Sequence, residues 1–86
     1  MNFDWSKKAC SDVEFWKKAN PKVAGRIQAL LESIIKDPYS GIGKPEPLKY
    51  ELSGWWSRRI THEHRLVYTY DKETNSLKIQ SCKDHY

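Results

Sequence analysis

Cysteine is scarce in this chain of 86 residues: Cys10 and Cys82 are the only two, and they lie far apart. Small secreted domains usually make up for a limited core with several disulfides. A disulfide scaffold is therefore excluded, and both thiols are expected to be reduced, as in a cytosolic protein. Apolar residues are also few, at 38%. No apolar run is long enough to cross a bilayer, and Met1 opens no signal-peptide pattern, so no membrane association is expected. Repeats, low-complexity tracts and linkers are missing as well, which leaves one domain over residues 1–86.

Several common chemistries lack their residues. "GIGK" at 41–44 has no P-loop spacing, and Pro45 removes a backbone donor where a hydroxyl residue would stand. His62 and His64 in "HEH" have no further ligands at zinc spacing. No Ser-His-Asp pattern is present, and Cys82 reads as a small core residue and not as a nucleophile for His85. No metal or cofactor is expected.

Aromatic residues and positive charge are what the chain has. Four Trp and five Tyr supply the buried area that the aliphatics do not. The formal charge of +4 favours an anionic partner. Lys44, Lys49, Arg58, Arg59 and Arg65 all fall in the central stretch, with Lys78 and Lys83 near the end.

Periodicity predicts the elements. "NFDW" reads as an opening strand, and Ser6 caps a helix to about Ala19 with Ala9, Val13 and Trp16 on one narrow face. Asn20-Pro21 starts a second helix, with the Asn20 side chain as N-cap acceptor and Pro21 at the first helical position. Val23, Ile27, Leu30, Leu31, Ile34 and Ile35 mark its apolar side, and Asp37-Pro38 ends it. After a loop, "LKYEL", "WWSRRIT", "HRLVYTY" and "SLKIQSC" read as strands separated by turn residues. The expected fold is α+β: an N-terminal strand and two helices packed on an antiparallel sheet. Strand parity puts Trp56, Arg58 and Ile60 on one face. With a three-residue turn over Thr61–Glu63, Arg59 stands directly opposite Arg65. Like charges opposed across a ladder are unfavourable, unless an anion such as the Glu63 or Glu46 carboxylate, or a bound phosphate, lies between them.

Glu46, Lys49, Arg59, Glu63 and Arg65 lie within about twenty residues of one another, and His85 and Tyr86 join them if the last strand runs beside "HRLVYTY". RNA cleavage without a metal needs a base for the 2′-OH, an acid for the leaving 5′-oxygen, and cations for the charge between them. A carboxylate, a histidine and two arginines meet that need, and aromatics stack on bases. The residues alone leave plainer readings open. Glu46 between two prolines can be a solvated loop carboxylate, Arg59 and Arg65 surface arginines paired with Glu63, and His85-Tyr86 a frayed tail. On those readings the chain is a non-catalytic basic module that binds RNA or the ribosome. A DNA-binding repressor is disfavoured because no helix carries a basic recognition face.

The block "GKPEPLKYELSGWWSRRITHEHRLVY" and the ending "CKDHY" closely resemble the YoeB/Txe family of bacterial toxins, within the wider RelE-like group, and the likeness covers the whole chain. The resemblance implies a microbial-ribonuclease-like fold and a bacterial cytoplasmic mRNA endonuclease acting in the ribosomal A site. It implies Glu46 as general base, His85 as general acid and Arg65 as stabiliser of the transition-state phosphate. Lys49, Arg59 and Glu63 would line the site, and Tyr86 would hold the substrate. The implied partners are mRNA, the ribosome and a partly disordered neutralising antitoxin, with DNA contacted only through the antitoxin complex. Monomer and homodimer both stay open. The family ending carries an arginine and an aromatic where this chain has Lys83 and Asp84. Lysine keeps the charge without the planar fork. Asp84 and the terminal carboxylate add negative charge that favours the imidazolium form of His85. A chain end is held by few contacts, so an antitoxin is expected to be able to displace the His-Tyr pair.

Overall fold

The computed structural model describes residues 1–84. Strand β1 (Asn2–Trp5) leads into helices α1 (Lys7–Ala19) and α2 (Pro21–Lys36). Strands β2 (Glu46–Pro47), β3 (Trp56–Arg59), β4 (Arg65–Asp71) and β5 (Ser76–Ser81) follow, with a 3-10 turn at Tyr50–Leu52. The sheet order is β1-β5-β4-β3-β2. Strands β2 to β5 pair antiparallel, whereas β1 lies parallel to β5, so the expected antiparallel sheet is mixed at one edge. A parallel partner needs a long crossover, and the two helices supply part of that path.

The helix boundaries follow their caps. Ser6 Oγ accepts the Ala9 N–H at 2.9 Å and donates to the Gln80 carbonyl at 2.6 Å, so one hydroxyl starts α1 and ties it to β5. Asn20 does not use its side chain as expected. Its extended backbone ends α1 through its own N–H on Trp16 O and starts α2 through its carbonyl, which accepts from Val23 and Ala24. Pro21 needs no donor there. Val23, Ile27, Leu30 and Ile34 of α2 are buried against Leu66, Tyr68, Leu77 and Ile79 of the sheet, together with Ala9 and Trp16 of α1. Each such aliphatic side chain contributes about 1.5–3 kcal/mol by leaving water. Leu31 packs at the edge of this core, whereas Ile35 stays exposed.

"LKYEL" is not a strand. Pro45 and Pro47 have no N–H to extend a ladder, and Tyr50 takes φ +57°. Pairing therefore stops after Glu46–Pro47, and the chain turns through residues 50–52 before Leu48 N–H closes on Trp55 O at 2.8 Å.

Arg58 belongs to the core and not to the basic surface. It is fully buried, and each of its five N–H groups has an acceptor. Nε donates to Tyr68 Oη, Nη1 to Ser33 Oγ and Ile42 O, and Nη2 to Asp37 O and Ser40 O, at 2.7–3.1 Å. The Tyr68 hydroxyl passes the chain on to Pro38 O at 2.6 Å. A buried guanidinium is tolerated because its desolvation is offset bond by bond. The outcome is a fixed loop between α2 and β2. Gly43, at φ +85°, closes it: the Arg59 N–H donates to Gly43 O at 2.7 Å, and a Cβ there would lie 2.6 Å from Leu30 Cδ2. The glycines of "GIGK" thus serve close packing.

Candidate active site

Strand register decides which side chains share a face. Glu46 pairs with Ser57, Ser57 with Val67, and Val67 with Ser81. Directly paired residues project from the same side of a sheet. Leu66, Tyr68 and Ile79, of opposite parity, face the helices, so this row lies on the other side. Arg59 pairs with Arg65, as the three-residue turn requires, one step of two residues further along the same face. The open side therefore carries a carboxylate from β2 and two guanidiniums from β3 and β4. Two strand spacings, about 10 Å, separate the backbones of Glu46 and β4, and long side chains reach into that gap.

A β-bulge keeps the last strand in step with this face. Tyr68 and Val67 face Ile79 and Ser81, so Gln80 is the extra residue. The shift leaves Ser81 on the Glu46 side, fully buried there beside Val67, and turns Cys82 into the core, where it is also fully buried. Burial pushes the Cys82 thiol up to about 12, with the nearby Asp12 carboxylate adding to the effect.

The charges on the open face do not neutralise one another. Among the described residues, ion pairs join Lys8 to Asp12 and Asp84, and Lys17 to Glu14, and none involves Arg59, Arg65, Glu46 or Glu63. The plain pairing of the two arginines with Glu63 is not formed. Arg65 instead rests Nη1 on the carbonyls of Thr61, His62 and His64, at 3.1–3.2 Å. These turn carbonyls fix the guanidinium, and its Nε and Nη2 have no acceptor among the described residues. The exposed side chains of Arg59, Glu46, Lys49 and Glu63 likewise have no hydrogen-bond partner among the described residues. Lys49 precedes the 3-10 turn, and Glu63 sits in the β3–β4 turn. His85 and Tyr86 lie outside the described residues.

The chain leading to that pair is more firmly held than a tail was expected to be. Cys82 donates its N–H to Asp12 Oδ2 at 2.9 Å, and its carbonyl accepts from Trp16 Nε1 at 2.8 Å. The Asp84 N–H donates to His64 Nδ1 at 2.8 Å, and Arg65 N–H donates to Asp84 O at 2.8 Å. Lys83 Nζ lies over the Phe15 ring at 4.7 Å. Lys8 reaches the Asp84 carboxylate at 3.5 Å and Asp12 at 2.9 Å. Burial pulls the Lys8 pKa down, but the hydrogen bond and charge of Asp12, then Asp84, outweigh it and raise it. The Asp84 carboxylate thus has Lys8 as an ion-pair partner. Sequence reasoning missed Asp12, whose side chain is only 8% exposed. Its place between Ala9 and Trp16, three and four residues away on the apolar stripe, was the available signal.

A sequence model described as "YoeB-like toxin of bacterial type II toxin-antitoxin system" matches residues 5–86. The toxin RelK of Mycobacterium tuberculosis H37Rv is 56% identical over 81 residues, covering 93% of each chain. This chain belongs to the YoeB-like toxin family of bacterial type II toxin–antitoxin systems. Solved YoeB structures share its fold throughout. A YoeB/ParE toxin from Agrobacterium tumefaciens matches with TM-score 0.96 at 38% identity, covering both chains fully. The toxin of a YoeB–YefM complex from Staphylococcus aureus matches with TM-score 0.89 at 48% identity, covering 100% of this chain and 98% of that one. No helix among the described residues is long and apolar enough to cross a membrane.

Proposed function

We propose that this toxin is an mRNA endoribonuclease that cuts translated mRNA in the ribosomal A site by acid–base catalysis, and so stops translation. The observation that carries the reading is the set of unneutralised charges on one sheet face: Glu46 on β2 and the directly paired Arg59 and Arg65. Opposed like charges with no anion between them are costly, and a bound phosphodiester relieves that cost.

Glu46 takes the proton of the 2′-OH as that oxygen attacks the adjacent phosphorus. Negative charge builds on the non-bridging oxygens of the phosphorane, and Arg65, pre-set by its bonds to the turn carbonyls, offers its remaining N–H groups to it. Arg59 adds the second cation, and Lys49 and Glu63 flank the backbone path. His85 gives its proton to the departing 5′-oxygen, so the P–O5′ bond breaks as the P–O2′ bond forms. The products are a 2′,3′-cyclic phosphate and a 5′-hydroxyl. Tyr86 holds a base by stacking. A cognate antitoxin, as YefM is found with the S. aureus toxin, would neutralise the basic face.

Primer extension on one defined mRNA in a purified translation reaction tests this reading. Cuts at A-site codons are expected with wild type, and neither Glu46→Ala nor His85→Gln should produce them. Ribosome binding with no cuts from any chain would overturn the enzyme and leave a non-catalytic basic binding module.

A further inference from the structure

We infer that His64 is a positioning residue: its Nδ1, acting as hydrogen-bond acceptor for the Asp84 N–H, fixes the residue that directly precedes the proposed acid His85. The catalytic part of this inference rests on the proposed nuclease reading.

Asp84 is the last residue before the proposed acid, and its backbone is in the left-handed region at φ +71°. That conformation is uncommon for a residue with a Cβ, although Asp adopts it more readily than most. Three contacts hold it here. The N–H is taken by His64 Nδ1 at 2.8 Å, the carbonyl by the Arg65 N–H at 2.8 Å, and the carboxylate by Lys8 at 3.5 Å. Two residues earlier, both polar backbone groups of Cys82 are bound by side chains of α1. The segment 82–84 is thus clamped from α1 on one side and from β4 with its preceding turn on the other.

Within this clamp His64 has a distinct demand. Its Nδ1 accepts only through a free lone pair, so this hydrogen bond requires the tautomer that carries its proton on Nε2. The ring stands edge-on to Trp16, with centroids 4.9 Å apart and planes at 71°. Trp16 is the residue that holds the Cys82 carbonyl, so the two side chains brace each other while each grips the tail. The "HEH" stretch thus contains a residue that fixes Asp84, the neighbour of the proposed acid. His64 sits next to Arg65 in sequence, and the Arg65 N–H donates to the carbonyl of the same residue, Asp84. Asp84, the residue before the proposed acid, is therefore registered directly against Arg65.

Two substitutions separate an acceptor from a packing ring. His64→Phe keeps an aromatic edge against Trp16 and removes the acceptor. His64→Asn removes the ring and sets an amide oxygen close to the position of Nδ1. In the free chain, His64→Phe should speed amide hydrogen exchange at Asp84 by about ten-fold, the loss of one hydrogen bond, while His64→Asn stays within about three-fold of wild type. On translating ribosomes, His64→Phe should lower kcat by about ten-fold with KM for the programmed ribosome unchanged, and His64→Asn should recover most of it. Thermal melts of both variants within a few degrees of wild type accompany that result. Asp84 exchange unchanged in His64→Phe, or slowed exchange and full kcat in His64→Phe with loss in His64→Asn, would overturn the acceptor role. Faster exchange in His64→Phe with unaltered kcat would overturn the link to catalysis. Failure of the wild type to cut would sink the nuclease reading alone, because the exchange comparison is made on the free chain.

Discussion

Arg58 and Arg59 are neighbours in sequence and opposites in structure. Arg58 points to the helices, is fully buried, and spends all five donors on Tyr68, Ser33 and three loop carbonyls. Arg59 points to the other side of the sheet, is exposed, and stands across from Arg65 with no side-chain partner among the described residues. The same residue type therefore does two different things at one strand step of separation. On the helix side a guanidinium organises its own protein. On the open side the charges find no ion-pair partner among the described residues, and the proposed site rests on that contrast.

Substitutions at the two arginines should behave as opposites, and the largest effect lies on the buried side. Arg58→Met removes five hydrogen bonds and orphans the Asp37, Ser40 and Ile42 carbonyls, so stability should fall by about 3 kcal/mol or more in urea titrations. A loss below about 1 kcal/mol would mean that the loop holds itself. Arg65→Ala comes next: cleavage should drop by about 10²-fold, as for the loss of one donor to a developing oxyanion, while stability falls by about 1 kcal/mol through the lost turn bonds. Arg59→Ala is the mirror of Arg58→Met. It should leave stability within about 0.5 kcal/mol and still weaken cleavage and flatten the salt dependence of ribosome binding. Equal destabilisation by Arg58→Met and Arg59→Ala would break the comparison.

Much of the contrast was legible before any coordinates. Parity put Arg58 with Trp56 and Ile60, and set Arg59 opposite Arg65, because turn length and period two fix register. Helix α2 was legible because its apolar spacing and Asn-Pro start act locally. What was not legible depended on distant groups. Nothing near Arg58 in sequence says that five acceptors await it, since Ser33 and the 37–43 carbonyls arrive from another element. Nothing near Asp12 in sequence pointed to its partner, the Cys82 N–H seventy residues on. The bulge at Gln80 cannot be seen in a pattern that assumes strict alternation, and two prolines overrode the strand-like composition of "LKYEL".

The thiols repeat the comparison on a smaller scale. Cys10 is exposed and Cys82 is buried, so iodoacetamide should label the native chain once and the unfolded chain twice. Burial raises the folded Cys82 pKa from 9.0 to about 12. The unfolded thiol ionises first, so its contribution to stability is complete below pH 9 and is lost progressively up to about pH 12. Cys82→Ala should flatten that part of the stability–pH curve.

The central claim divides one reaction between two regions: the open sheet face removes a proton and holds the phosphate charge, and the clamped chain end supplies a proton. An mRNA with a single sulfur in place of the bridging 5′-oxygen at the A-site cut tests it most directly, because a thiolate leaves without protonation. On that substrate His85→Gln should cut at a rate within about ten-fold of wild type, while Glu46→Ala stays inactive, because only the acid has become dispensable. A His85→Gln chain as defective on the sulfur substrate as on the ordinary one would contradict the division of labour.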